Sequence, residues 1–145
     1  EPIGDIEVQY SELKPINISG EKISTLIDEL PILFIACATC KGISEFHDIE
    51  ELRFKESDRI KSMEDGLNVL GIKTSSTTNS LKIFGDSFNG GIIDSNHDHR
   101  VAMSFIVAGT ISKKPITVLN TKNISTSFPN FKNTINSIGA EVYEI

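Results

Sequence analysis

Two halves of this chain carry the same order of patterns, and that repetition limits the fold more than any other feature. An apolar stretch led by an aspartate begins at Asp28 and again at Asp98. Each is followed by a strand-like run, then by a helical pattern closed by glycine, at Gly71 and Gly139, then by another strand-like run. The offset is about 70 residues, longer than the roughly 20–50 of solenoid repeats. Each half is therefore a supersecondary unit of βαβαβ type, and the alternation of strands with helices predicts an α/β (α+β) architecture. The unit boundaries fall at 1–84 and 85–145.

Read in order, residues 3–13 alternate at Ile6, Val8 and Tyr10, which predicts a half-buried strand that Ile16 and Ile18 extend past Pro15. An apolar helix follows, with Pro31 in its first turn and an end near Lys41-Gly42. A strand over 43–47 leads to an amphipathic helix in which Ile60, Met63, Leu67 and Leu70 recur at spacings of three and four before Gly71. Short strands over 72–75 and 81–84 flank Thr77-Thr78-Asn79-Ser80, which has hairpin-loop chemistry. The second half predicts a strand near 90–94, an apolar helix from Asp98, a strand over 116–119, a helix over 128–138 and a final strand over 141–145.

The charged segment Arg53-Phe54-Lys55-Glu56-Ser57-Asp58-Arg59 opens the amphipathic helix. Cations there run against the helix dipole, whose free N–H groups favour carboxylates. A bound anion would reconcile the mismatch, meeting backbone donors and side-chain cations together. The plainer alternative is that Lys55 and Arg59 pair with Glu56 and Asp58 on a solvated surface.

Other classes of function fit less well. A net charge of −6 with no Lys/Arg-rich run argues against nucleic acid as a partner. No apolar run reaches the roughly 18 residues of a membrane span, and the first residues are neither basic nor apolar enough for a signal peptide, so a cytoplasmic location is expected. Cys37 and Cys40 form a C-x-x-C inside an apolar helix, where free cysteine serves as a small hydrophobe. His97-Asp98-His99 lacks further ligands placed by sequence, so no metal is expected there, and His47 within its strand reads as structural.

The word Arg53-Phe54-Lys55-Glu56-Ser57-Asp58-Arg59 resembles the R-x-K-E-[ST]-D-R signature of the 5-enolpyruvylshikimate-3-phosphate synthase family. Four further words support the resemblance in the right order. Glu1-Pro2-Ile3-Gly4-Asp5-Ile6 resembles E-P-x-x-D-I, and Leu26-Ile27-Asp28-Glu29-Leu30-Pro31 resembles L-I-D-E-x-P. Asp98-His99-Arg100-Val101-Ala102-Met103 resembles D-H-R-x-A-M, and Ser127-Phe128-Pro129-Asn130-Phe131 resembles S-F-P-x-F. The resemblance implies an inside-out domain of βαβαββ units, helices within and sheets outside, of which about two are present. It also implies a partner domain, N-terminal in the family, that is absent here, so the isolated piece is expected to be inactive.

The implied reaction transfers the enolpyruvyl group of phosphoenolpyruvate to the 5-hydroxyl of shikimate 3-phosphate and needs no cofactor. It demands a base, an acid and cations for the carboxylate and phosphate. By resemblance Asp28 takes the hydroxyl proton, although an ordinary helix N-cap is the alternative for that residue. Lys55 would contact the hydroxyl and the phosphoenolpyruvate region, and Glu56 would handle the proton at C3, helped if burial raises its pKa. Arg59 and Arg100 would hold the phosphoenolpyruvate anion, with Asp98 and His99 contributing beside them. Thr126 stands where some members carry a lysine. The UDP-N-acetylglucosamine enolpyruvyl transferase of the same fold and a non-catalytic anion-binding module are the competing readings.

Overall fold

The computed structural model describes residues 4–145. Strand β1 (Asn17–Ile18) leads to helices α1 (Glu21–Leu26) and α2 (Leu30–Ala38), then to β2 (Gly42–His47). A 3-10 turn (Glu50–Phe54) precedes α3 (Arg59–Val69), β3 (Lys73–Ser76) and β4 (Ser80–Gly85). The second half contains β5 (Gly91–Asp94), α4 (His99–Gly109), β6 (Ile116–Leu119), α5 (Ile124–Ser127) and α6 (Phe131–Ser137).

The first four strands form a sheet in the order β1-β2-β4-β3, with β1 parallel to β2 and the other pairs antiparallel. Strands β5 and β6 pair in parallel as a separate two-stranded sheet. Helices α2, α3 and α4 pack against one another and against these sheets. Phe34, Phe46, Ile60, Met63, Leu67, Leu81, Val101 and Phe105 are fully buried among them. At roughly 1.5–3 kcal/mol per large apolar side chain, this burial dominates what holds the layers together. Gly66 lets α3 and α4 approach closely, since a Cβ there would stand 2.2 Å from the Phe105 ring.

Helices α3 and α6 end in the same way. Gly71 (φ 86) and Gly139 (φ 102) take the left-handed conformation, the Ile72 amide donates to Leu67 and the Ala140 amide donates to Ile135. Each is the 6→1 bond of a Schellman ending, which the glycines make accessible. The cysteines are buried and free, and burial pushes both thiols up, away from the reactive thiolate.

Several sequence expectations are corrected. Ile3 lies outside the described residues, as does the start of the Glu1-Pro2-Ile3 word, and residues 4–13 form no strand. Ile6, Val8 and Tyr10 are 88%, 86% and 99% exposed. Alternation allows a strand but does not supply the neighbour that a strand needs, and pairing on this edge of the sheet begins only at Asn17. The helix expected over 128–138 starts at Phe131, because Pro129 disfavours helical backbone at Phe128, which sits at φ −141. No strand forms over 141–145. Asn136 instead takes both backbone groups of Val142, donating to its carbonyl at 3.1 Å and accepting from its amide at 2.8 Å. Helix α1 had no periodic signal in its six residues.

Candidate active site

Three helix starts meet at one place. Helix α3 is capped by Asp58, whose carboxylate accepts from the Lys61 amide at 3.0 Å. Helix α4 is capped by Asp98, which accepts from the amides of Arg100 at 2.9 Å and Val101 at 3.3 Å. Asp28 is not the cap of α2. Glu29 holds that position, with no side-chain capping bond, and Asp28 lies in the turn between α1 and α2, where its carboxylate is free to face the other two helices.

Arg59 is the centre of the cluster. Its side chain is 1% exposed, and three of its nitrogens each donate to a different carboxylate. Nε reaches Asp98 at 2.8 Å, Nη2 reaches Glu56 at 2.6 Å and Nη1 reaches Asp28 at 3.3 Å. A buried guanidinium needs such partners, since an unpaired charge there would cost several kcal/mol. Asp98 is fully buried as well. Burial alone would raise its carboxyl, but the hydrogen bond and charge of Arg59 and the amides of Val101 and Arg100 outweigh it and hold the group below the ordinary range.

Asp28 gathers the remaining cations. Lys55 Nζ stands 3.6 Å from its Oδ1, and Arg100 Nη2 stands 3.8 Å from its Oδ2. Arg100 also donates to the Asp28 carbonyl at 2.9 Å and to Glu29 at 3.4 Å. Lys55 pairs with Glu51, and that hydrogen bond, with the charge of Asp28, raises its pKa and keeps it cationic. An apolar groove of about 180 Å³ runs from Asp28 and Arg100 between α2 and α4, past Ile32, Met103 and Phe131.

Asp28, Lys55, Glu56, Arg59, Asp98 and Arg100 thus form one ion network, although they are spread over 73 positions of sequence. His99 opens α4 half-buried, and its ring makes none of the hydrogen bonds that join this network among the described residues. Glu56 is not buried as its suggested role preferred, because its side chain is 50% exposed. Nor does the plain surface pairing describe the segment. Arg59 does pair with Glu56, but from a buried guanidinium onto a half-exposed carboxylate, while Asp58 pairs with Arg53 at 2.7 Å. Arg53 also donates to the carbonyls of Thr77 and Thr78, so this arginine ties the hairpin loop to the start of α3. Thr126 is exposed, with its hydroxyl turned back to the Asn123 carbonyl at 2.7 Å.

Sequence reasoning passed over Glu51, Glu29, Ser57 and Asn96. The i,i+4 spacing of Glu51 and Lys55 was the only local signal available. Ser57 donates to Asp98 at 3.1 Å across 41 positions, a pairing no local pattern reveals.

The profile of the family described as EPSP synthase (3-phosphoshikimate 1-carboxyvinyltransferase) matches residues 1–135. The chain belongs to the EPSP synthase family. A 3-phosphoshikimate 1-carboxyvinyltransferase of Legionella pneumophila (strain Paris) is 43% identical over 144 residues, covering 99% of this chain and 33% of the relative. A solved EPSP synthase of Acinetobacter baumannii superposes with a TM-score of 0.83 at 43% identity, over 86% of this chain and 30% of that one. The enolpyruvyl transferase NikO of Streptomyces tendae shares the fold, with a TM-score of 0.70 at 18% identity over 92% of this chain and 30% of that one. The chain spans about a third of the length of the curated relatives it matches. This is the enolpyruvyl-transferase fold. No helix among the described residues is long and apolar enough to cross a membrane.

Proposed function

We propose that this stretch supplies part of the site at which a full-length EPSP synthase transfers the enolpyruvyl group of phosphoenolpyruvate to the 5-hydroxyl of shikimate 3-phosphate. The single observation that carries the reading is the meeting of Asp28, Lys55, Glu56, Arg59 and Arg100 at the starts of three helices. The hydroxyl oxygen attacks C2 while its proton passes to Asp28, and Glu56 delivers a proton to C3. The tetrahedral intermediate then loses a proton from C3 and expels phosphate, restoring the enol ether.

Arg100 and Lys55 hold the phosphoenolpyruvate anion, and both retain partial exposure from which to do so. Arg59 acts from beneath, where its three carboxylates fix the plane of the guanidinium. His99 lies beside the anion, and Asp98 sets the arginine geometry. We further propose that the chain comprises two repeat units, 1–84 and 85–145, the first with βαβαββ order and the second with the β5-α4-β6-α6 part of it. The order β1-α2-β2-α3-β3-β4 and the matching Schellman ends of α3 and α6 support this division. The rest of the enzyme completes the pocket by closing over these helix starts, in the cytoplasm.

The test is phosphate release by a full-length enzyme carrying this stretch. It should require both phosphoenolpyruvate and shikimate 3-phosphate. Equal release with UDP-N-acetylglucosamine as acceptor, or none with either acceptor, would refute the reading.

A further inference from the structure

The turn before α4 is strained and heavily tied. Asn96 (φ 51) and His97 (φ 60) are consecutive non-glycine residues in the left-handed region. Such backbone persists only where its surroundings over-determine it, and here they do. The Asn96 amide donates to Asp94 at 2.8 Å, Ser95 Oγ donates toward the carbonyls of Leu119 and Asn120, and Asn123 Nδ2 donates to the His97 carbonyl. The bonds of Ser95 and Asn123 fasten the turn to the end of β6 and the residues just after it. One further bond fastens it to α3, from Asn96 Nδ2 to Ser62 Oγ at 2.9 Å.

That bond begins a chain with one direction. Ser62 is buried and lies three residues beyond Arg59 on the same face of α3. Its hydroxyl accepts from Asn96 and donates to Ser57 Oγ at 3.4 Å, and Ser57 donates to Asp98 Oδ2 at 3.1 Å. The same oxygen receives Arg59 Nε, while the other Asp98 oxygen holds the Arg100 amide. A hydroxyl has one proton, so while Ser62 gives its own to Ser57 the group that faces it from Asn96 has to be a donor.

We propose that Asn96 is a positioning residue of the anion site, whose amide, fastened to Ser62, fixes the α4 start on α3 and so sets Asp98, Arg59 and Arg100 relative to one another. This rests on the function proposed above, because the readout is phosphoenolpyruvate use. A group that merely fills space would tolerate aspartate, which has the shape of asparagine and its ease with positive φ. A donor would not, because aspartate draws the Ser62 proton toward itself and breaks the chain.

The experiment is steady-state kinetics of the full-length enzyme carrying Asn96→Asp, Ser62→Ala or both. Loss of this part-buried hydrogen bond predicts that KM for phosphoenolpyruvate rises about tenfold in each single variant, with KM for shikimate 3-phosphate within about twofold. The double variant should be no worse than the more impaired single one, since both remove the same bond. Should Asn96→Asp fail to fold, Asn96→Gly removes the amide and keeps the backbone unstrained, with the same rise expected. A normal KM for phosphoenolpyruvate in the single variants, a loss confined to kcat, or additive losses in the double variant would overturn the proposal. An active parent enzyme with unaffected variants removes only the role of Asn96, whereas an inactive parent removes the functional reading and this inference together.

Discussion

Asp98→Asn separates the charge of the buried carboxylate from its shape. Asparagine keeps the oxygen that accepts from the Arg100 and Val101 amides, so the α4 cap survives. What changes is the face toward Arg59, where an amide N–H would meet the Nε donor that now sits 2.8 Å from Oδ2. Breaking a buried ion pair outright costs about 3–5 kcal/mol. Arg59 retains Glu56 at 2.6 Å and Asp28 at 3.3 Å, which brings the expected loss to or just below the bottom of that range, about 2–3 kcal/mol. Urea unfolding of the chain followed by circular dichroism, at a series of pH values, measures it.

The folded Asp98 carboxyl lies below its ordinary value, so its contribution is fully present above the unfolded pKa of about 3.9 and is lost as pH falls through the folded value. The gap between parent and variant should therefore be constant near neutral pH and shrink below about pH 4. A difference under about 0.5 kcal/mol at pH 7, or one that does not shrink in acid, would refute the buried pair as the anchor.

Other expectations concern packing and chemistry. Gly66→Ala gains about 1 kcal/mol of helix propensity but drives a methyl into the Phe105 ring, so a net loss of roughly 1–2 kcal/mol should appear as a lowered Tm, partly restored by Phe105→Leu. A raised Tm in the single variant would contradict the close approach of α3 and α4. Lys55→Ala or Arg100→Ala in the full-length enzyme should lower kcat/KM by orders of magnitude, matching charge-assisted contacts of about 2–4 kcal/mol, and a change below about threefold in both would refute their roles. The 145-residue chain alone should show no turnover and weak phosphoenolpyruvate binding by calorimetry, with activity only after mixing with the remaining part of the enzyme; turnover by the chain alone would contradict this.

Local chemistry explains what the sequence revealed. The α3 pattern, the Gly71 ending, the Thr77–Ser80 loop and the Asp98 start were legible because each is decided by residues within a few positions. The strands expected at the two ends failed for the opposite reason: Tyr10 finds no ladder partner in the structure, and Val142 finds a side chain in place of one. At the site, the family words pointed to Asp28, Lys55, Arg59 and Arg100, but not to who pairs with whom. From sequence Arg59 reads as an anion ligand or as a surface cation at a helix start, and only the tertiary packing of α2 and α4 over α3 makes it the most buried cation of the network.

The most direct measurement is a crystal structure of the full-length enzyme with phosphoenolpyruvate and shikimate 3-phosphate bound. The account predicts the phosphoenolpyruvate anion within hydrogen-bond distance of Arg100 and Lys55, which have turned from Asp28, while Arg59 keeps Asp98. An anion bound away from these helix starts, with Asp28 still holding both cations, would contradict it.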